Sequence, residues 1–267
     1  MVLMLLILQK NYFIKATHGF TIWLIYKMQK KMNITVIPSQ SRGFADHGWL
    51  KSRFSFSFAE YHNPERMNFG KLRVLNDDII AGNSGFGMHP HNNMEIISVP
   101  VYGALAHVDS KGNKETIREN ELQVMSAGKG IYHSEHNASV TEEANFLQLW
   151  IFPRVLNIEP AYEKRWFDPS LQEGRFQMLV SPDGREGSLA IAQQAFLYRG
   201  KFSRASFAEY SLKLDGNGMV VFVINGSIRL GVQILHNRDA AEISSADRIS
   251  FEVLEDATQI LTIETPM

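Results

Sequence analysis

The sequence predicts an all-β protein built as two halves of similar size. Three observations carry this. Short apolar runs recur with turn signals between them roughly every 8–12 residues, as in sandwiches and barrels. No long stretch beyond the first 31 residues has strong helical periodicity. A Pro-bounded break at Pro153–Pro160 parts the strand-like text near residues 155–170.

The segment 1–31 differs from the rest. Its apolar run Met1–Leu8 ends at Gln9 and Lys10, too short for the roughly 20 residues that a bilayer span needs. It has neither a basic start nor a small-residue cleavage site. The reading preferred is an upstream start codon, with Met32 the true beginning. An appended helix is the next, and an interfacial anchor using Lys27, Lys30 and Lys31 the third.

From Ile34 the strands follow in order. ITVIP (Ile34–Pro38) is a short strand, and 39–80 reads as strands joined by loops, with Lys71–Leu75 a strand and Asn76-Asp77-Asp78 a turn. Met94–Val99 is a strand that Pro100 interrupts, which predicts a bulge or an edge position. Tyr102-Gly103 is a turn, Ala104–Asp109 the return strand and Ser110–Asn113 a hairpin turn. Glu121–Ser126 is a strand, and Phe146–Phe152 (FLQLWIF) is apolar enough to be buried on both faces. Tyr162–Pro169 reads as a connector. Strands resume at Phe176–Ser181, Leu189–Gln193 and Phe207–Leu214. Val220–Ile224 and Ile228–Leu230 flank Asn225-Gly226 as a hairpin, and Ile249–Val253 and Gln259–Glu264 complete the set.

Composition narrows the chemistry. A formal net charge of -1 argues against direct nucleic-acid binding, and no stretch is suited to the membrane interior. There is no cysteine, so any metal is held by N and O donors, and a cytoplasmic location is the default. Two stretches supply such donors. GFGMHPHNNME (Gly85–Glu95) offers His89 and His91, and GKGIYHSEHN (Gly128–Asn137) offers His133 and Glu135. Residues two apart on a strand share a face, so two neighbouring strands would bring three imidazoles and a carboxylate to one point. Strand parity also admits Glu95, because positions 89, 91, 93 and 95 would share that face. His136 is off parity and should face away; His107 reads as a satisfied core histidine.

In order along most of the chain, the words HGWL (His47–Leu50), LRVLNDD (Leu72–Asp78), GFGMHPHNNMEI, MSAGKGIYHSEHN (Met125–Asn137) and SPDGREGSL (Ser181–Leu189) resemble the pirin family of the cupin superfamily. The resemblance covers the chain from about Met32 onward. It implies two stacked jelly-roll (cupin) barrels, a bicupin: a metal-binding cupin over 32–160 and a degenerate one over 161–267, after the extension 1–31. It implies one divalent transition metal on His89, His91, His133 and Glu135, with Glu95 holding a ligand histidine's other N–H. Gly128-Lys129-Gly130 stands where the motif usually has Pro-x-Gly. Fe(II) is the family expectation, while Zn, Mn, Ni, Co and Cu suit the same donors. The nearest likeness is to bacterial quercetin 2,3-dioxygenases. That makes a small aromatic substrate and O2 the expected partners, Glu135 both ligand and base, and a depside and carbon monoxide the products. Phe86, Tyr132 and Trp150 are candidates to face a flat substrate or to be ordinary core. The rival implication is a non-enzymatic, redox-dependent partner of a transcription regulator, as animal pirins are described. A metal-dependent isomerase or hydrolase is a third.

Overall fold

A computed structural model describes residues Met32–Met267, so the readings of 1–31 lie outside the described residues. Strands make up nearly all the regular structure. The first group is β1 (Asn33–Ile37), β2 (Gly43–Asp46), β3 (Leu50–Phe54), β4 (Leu72–Ile80), β5 (Gly85–His91), β6 (Glu95–Tyr102), β7 (Ala104–Asp109), β8 (Lys114–Arg118), β9 (Glu121–Ser126), β10 (Ile131–Asn137), β11 (Ala144–Ile151) and β12 (Ala161–Trp166). The second is β13 (Phe176–Ser181), β14 (Leu189–Ala190), β15 (Phe196–Phe202), β16 (Phe207–Ser211), β17 (Asn217–Asn225), β18 (Ile228–Leu230), β19 (Gln233–Leu235), β20 (Ala240–Ser244), β21 (Arg248–Val253) and β22 (Thr258–Pro266).

They form two barrels, each a seven-stranded sheet opposed to a four-stranded one, as the bicupin expectation requires. In the first, β12-β9-β6-β11-β4-β3-β2 opposes β5-β10-β7-β8; in the second, β1-β20-β17-β22-β15-β13-β14 opposes β16-β21-β18-β19. The two seven-stranded sheets pack on each other through Leu75, Ile97 and Leu147 from one and Val180, Phe222 and Leu261 from the other. This is why those strands are apolar on both faces: one side fills a barrel and the other fills the seam. The halves also exchange strands. β1 pairs with β20 of the second barrel, and β12 pairs with β9 of the first. No helix of the described residues is long and apolar enough to cross a membrane.

Several elements depart from expectation. Asn76-Asp77-Asp78 is no turn; it lies within β4, opposite Gln148, Leu147 and Phe146 of β11. Its polarity has two sources. Asn76 and Asp78 are buried inside the barrel, and Asp77 faces the seam, where Arg238 Nη1 lies 3.1 Å and Arg42 Nη2 3.7 Å from its carboxylate. Pro100 pairs with Phe146 of β11, two residues past the last β6–β9 pair, and the β11 ladder shifts register opposite it, giving the expected bulge at a missing N–H. Tyr162–Pro169 is not simply a connector, since β12 occupies its start. As an edge strand it carries three charged residues in a row, Glu163 exposed and Lys164 and Arg165 half-buried, which hides its alternation. β15 (FLYRGKF) is absent from the sequence reading because Arg199, Gly200 and Lys201 interrupt its apolar text. Arg199 is nonetheless buried, donating from Nε to Gln172 Oε1 at 2.8 Å.

Arg42 shows what the seam depends on. Its side chain is fully buried, and burial pushes its pKa down to about 10 despite Asp77 beside it. Asp77→Ala would strand that cation in an apolar seam. The expected cost is about 3 kcal/mol, as for other broken buried pairs, read as a lower urea midpoint with an unchanged m-value. A loss below about 0.5 kcal/mol would show that the pair is solvated.

Candidate metal centre

His89 and His91 lie on β5, His133 and Glu135 on β10, and the two strands are neighbours, with His133 directly opposite His89. The register slips between His133 and Glu135: Glu135 pairs with Phe86, so β5 holds one extra residue there. His89 and His91 share a face two residues apart and His89 pairs directly with His133, so regular pairing brings the three rings together, and the bulge offsets only Glu135 from the His89–His91 run. The three rings form a near-equilateral set, with centroids 4.8 Å apart for His89–His91, 4.5 Å for His89–His133 and 4.8 Å for His91–His133. Their donor nitrogens all lie within 4.8 Å of one another. The turn ahead of β10 relies on Gly128, whose φ is +47°; a Cβ there would fall 2.1 Å from the Ile158 carbonyl oxygen. Gly128-Lys129-Gly130 thus closes the turn without a proline.

Proton positions follow from the partners. His89 Nδ1 lies 2.8 Å from the Gly87 carbonyl, which only accepts, so Nδ1 carries the hydrogen and Nε2 is the free lone pair. His91 Nε2 and both nitrogens of His133 are buried with no hydrogen-bond partner. Orphaned imidazole nitrogens within 4.8 Å of one another are costly in a bare core and are what a bound cation would satisfy. Burial, reinforced by the neighbouring histidines, lowers His91 and His133 to about 3, so both are neutral lone-pair donors at pH 7.

Glu135 is 1% exposed and has a different set of neighbours. Its Oε1 accepts from Ser98 Oγ at 2.8 Å and Gln123 Nε2 at 2.6 Å; its Oε2 accepts from Gln148 Nε2 at 2.7 Å. Ser98 stands opposite Gln123 on one side and Gln148 on the other, so the three form one polar rung across β9, β6 and β11. A carboxylate offers about four acceptor sites, and three contacts leave one, on Oε2. The carboxylate groups with His133 and His107 rather than with His89 and His91. The structure therefore brings three of the four sequence-derived donors to one point and sets Glu135 against the third histidine from the inner side.

His107 departs from its sequence reading. It lies on β7 opposite Glu135, 1% exposed, and neither of its ring nitrogens has a hydrogen-bond partner. Asp109 Oδ2 at 3.5 Å from Nε2 is too far for a good bond. Its ring stacks on Tyr162 of β12 at 4.6 Å, and Tyr162 Oη donates to Gln123 Oε1 at 3.0 Å. The signal was present as a further same-face pair, His107-x-Asp109, in register with His133-x-Glu135.

Glu95 is not on the strand of the histidines. Asn93 has a positive φ of 47° between β5 and β6, so the parity that linked 91 to 95 is broken. Glu95 is buried and accepts from Ser126 Oγ at 2.6 Å, not from a histidine. His136 is exposed, as its parity required. Of the aromatics, Trp150 stands edge-on to His91 at 4.8 Å, Phe86 packs against Trp49, and Tyr132 is exposed.

Comparison with known proteins agrees with this architecture. Residues 37–151 match the Pirin family and residues 178–265 the quercetinase C-terminal cupin domain. A quercetin 2,3-dioxygenase of Escherichia coli is 39% identical over 228 residues, 85% of this chain and 96% of that one. The crystal structure of YhhW from Escherichia coli superposes with a TM-score of 0.83 at 38% identity, covering 88% of this chain and 98% of that one. A structure described as bacterial pirin YhhW in complex with nickel(II) gives a TM-score of 0.82 at 36% identity, covering 88% and 99%.

The depressed histidines make a pH prediction. An imidazole of ordinary pKa 6.5 loses about 30-fold of its free base between neutral pH and pH 5, and two lose on the order of a thousandfold. With His91 and His133 held near 3, Ni(II) affinity by competition titration should fall by less than about a hundredfold from pH 7.5 to 5. A steeper loss would mean that the two rings are not shielded. The same shift acts on the metal-free fold. Below about 6.5 the unfolded chain takes up protons that these rings refuse, so their contribution to stability is lost as pH falls from there toward 3.

Proposed function

The chain belongs to the pirin family of bicupins, and we propose that it is a metal-dependent dioxygenase that cleaves flavonols such as quercetin with O2. The observation that carries this reading is the triangle of imidazoles, with buried unpartnered nitrogens on His91 and His133, beside a buried carboxylate. In it, His89, His91, His133 and Glu135 hold one divalent ion. The donor set suits Fe(II), the metal proposed here, and accepts Ni, Co, Mn, Zn or Cu(II) as well; the nickel(II) complex of the relative supports a divalent transition ion. When bound, such an ion supplies the Lewis acid and redox centre through which an activated flavonol and O2 react.

The chain's own residues supply the rest. His89, the half-buried member of the triangle, faces the mouth, while His133 at 1% exposure lies deepest, so substrate approaches from the His89 side. Trp150, edge-on to His91, gives a flat ring a wall to lie against. Glu135 has one free acceptor site, on Oε2, which serves either the ion or, with the ion on the three histidines, the proton of the flavonol 3-hydroxyl. Ser98, Gln123 and Gln148 hold the carboxylate in place while it does so. The reaction inserts both atoms of O2 and releases a depside and carbon monoxide.

Protein purified without added metal, then assayed for its elemental content and for quercetin consumption under O2, tests this. Turnover with release of carbon monoxide is expected from the metal-loaded protein, falling at least about a hundredfold in kcat for His89→Ala and Glu135→Ala, in the range of lost acid–base groups. Metal-loaded protein that leaves quercetin and other flavonols intact would refute the enzyme.

A further inference from the structure

Glu135 is held by groups that must themselves be held, and Gln123 is the one whose support comes from furthest away. Gln123 is 1% exposed, and its amide nitrogen reaches two acceptors: Glu135 Oε1 at 2.6 Å and Ser98 Oγ at 3.0 Å. An amide nitrogen has two hydrogens, so both are taken. Among the described residues the amide oxygen has one donor, the Tyr162 hydroxyl at 3.0 Å. Tyr162 stands on β12, opposite Met125 of β9, and Gln123 is two residues from Met125 on the same face.

That hydroxyl decides what the amide can do. Without it the amide oxygen is a buried acceptor with no donor, which is costly. Turning the amide over offers no relief, since it would set that oxygen 2.6 Å from Glu135 Oε1, acceptor against acceptor. Either arrangement loosens the grip on Oε1. Oε1 is the oxygen with two donors, Gln123 and Ser98, while the free acceptor site is on Oε2, so whatever anchors Oε1 aims Oε2. Burial, with Glu115 and Glu135 nearby, raises Tyr162 above the ordinary phenol, so its hydroxyl remains a donor. Its ring has separate work. It stacks on His107 at 4.6 Å and 19°, and His107 lies 5.3 Å from His133. Removing the hydroxyl alone therefore leaves that stack in place.

We propose that Tyr162 is a positioning residue for the metal centre: its hydroxyl fixes the Gln123 amide, and the amide holds the Glu135 carboxylate in its binding pose. The inference rests on the reading of His89, His91, His133 and Glu135 as one centre.

Ni(II) affinity of the full chain, by competition titration, tests it. Outer partners of metal ligands are worth about 10–100-fold in affinity, so Tyr162→Phe should raise Kd about tenfold. In a Gln123→Met background the same change should alter Kd less than about twofold, because a residue acting through Gln123 has nothing left to act on. A role confined to packing would give the same factor in both backgrounds. In the Co(II)-loaded protein, the visible d–d bands, which follow ligand geometry, should shift in Tyr162→Phe. Tyr162→Phe keeps the ring and is expected to fold, which a matching thermal melt verifies. Glu135→Ala separates the two possible failures. If it binds Ni(II) as tightly as the wild type, the four-donor centre falls and the inference with it. If it weakens binding while Tyr162→Phe leaves Kd or the Co(II) bands unchanged, or loses the same factor with Gln123→Met present, the inference alone is overturned.

Discussion

The Glu135 carboxylate is the constraint around which the first barrel is arranged. It is buried, and the groups that hydrogen-bond to it are neutral: Ser98, Gln123 and Gln148. A carboxylate in that position is affordable only with most of its acceptor sites taken, as three of the four are here, and charge-assisted bonds are the stronger kind. Those bonds run from the four-stranded sheet to three neighbouring strands of the seven-stranded one, so they tie the barrel's two walls together at one level. They also fix β10 in depth and rotation, and His133, two residues earlier on the same face, is placed with it. Direct pairing of β5 with β10 then brings His89 and His91 to His133.

The second barrel uses a related device for a different end. Glu264 is fully buried and accepts from Tyr210 Oη, the Lys213 and Leu214 backbone N–H groups and Asn217 Nδ2. The anion again links separate elements of a barrel, but no imidazole stands beside it; among the described residues the two metal-competent groups both belong to the first barrel. Common architecture thus carries different chemistry, and the difference lies in a few inward side chains rather than in the backbone.

Much of this was legible in the sequence, and the failures share a cause. Runs such as Ala104–Asp109 and Glu121–Ser126 announce themselves as strands because local pattern and tertiary environment agree. The His-x-His and His-x-Glu words name the imidazoles because period two fixes their face. Reading fails where a polar residue is buried for reasons that lie across the barrel. Asp78 passes for a turn residue until β11 is placed beside it, and burial then raises its carboxyl to about 7. Arg199 conceals β15 until Gln172 is seen to meet it. Gln148 within FLQLWIF, Ser98 within EIISVPVY and Gln123 within ELQVMS were each visible as lone polar residues in apolar strands. That they form a rung needs the register, which one sequence does not contain. Glu95 misleads in the opposite way, since parity holds only along an unbroken strand and Asn93 breaks it.

The exchange of β1 and β12 between the barrels bears on how the chain is made. β1 is the earliest described strand to leave the ribosome, yet Asn33 finds its partner only when Ser244 has been synthesised. Until then it is an unpaired ribbon beside a nearly finished first barrel, and contacts so distant in sequence close slowly. A break between the halves would leave each fragment lacking a strand that the other carries, with a raw sheet edge open to self-association. The two barrels are therefore expected to melt together as one cooperative unit, however separable they look as repeats.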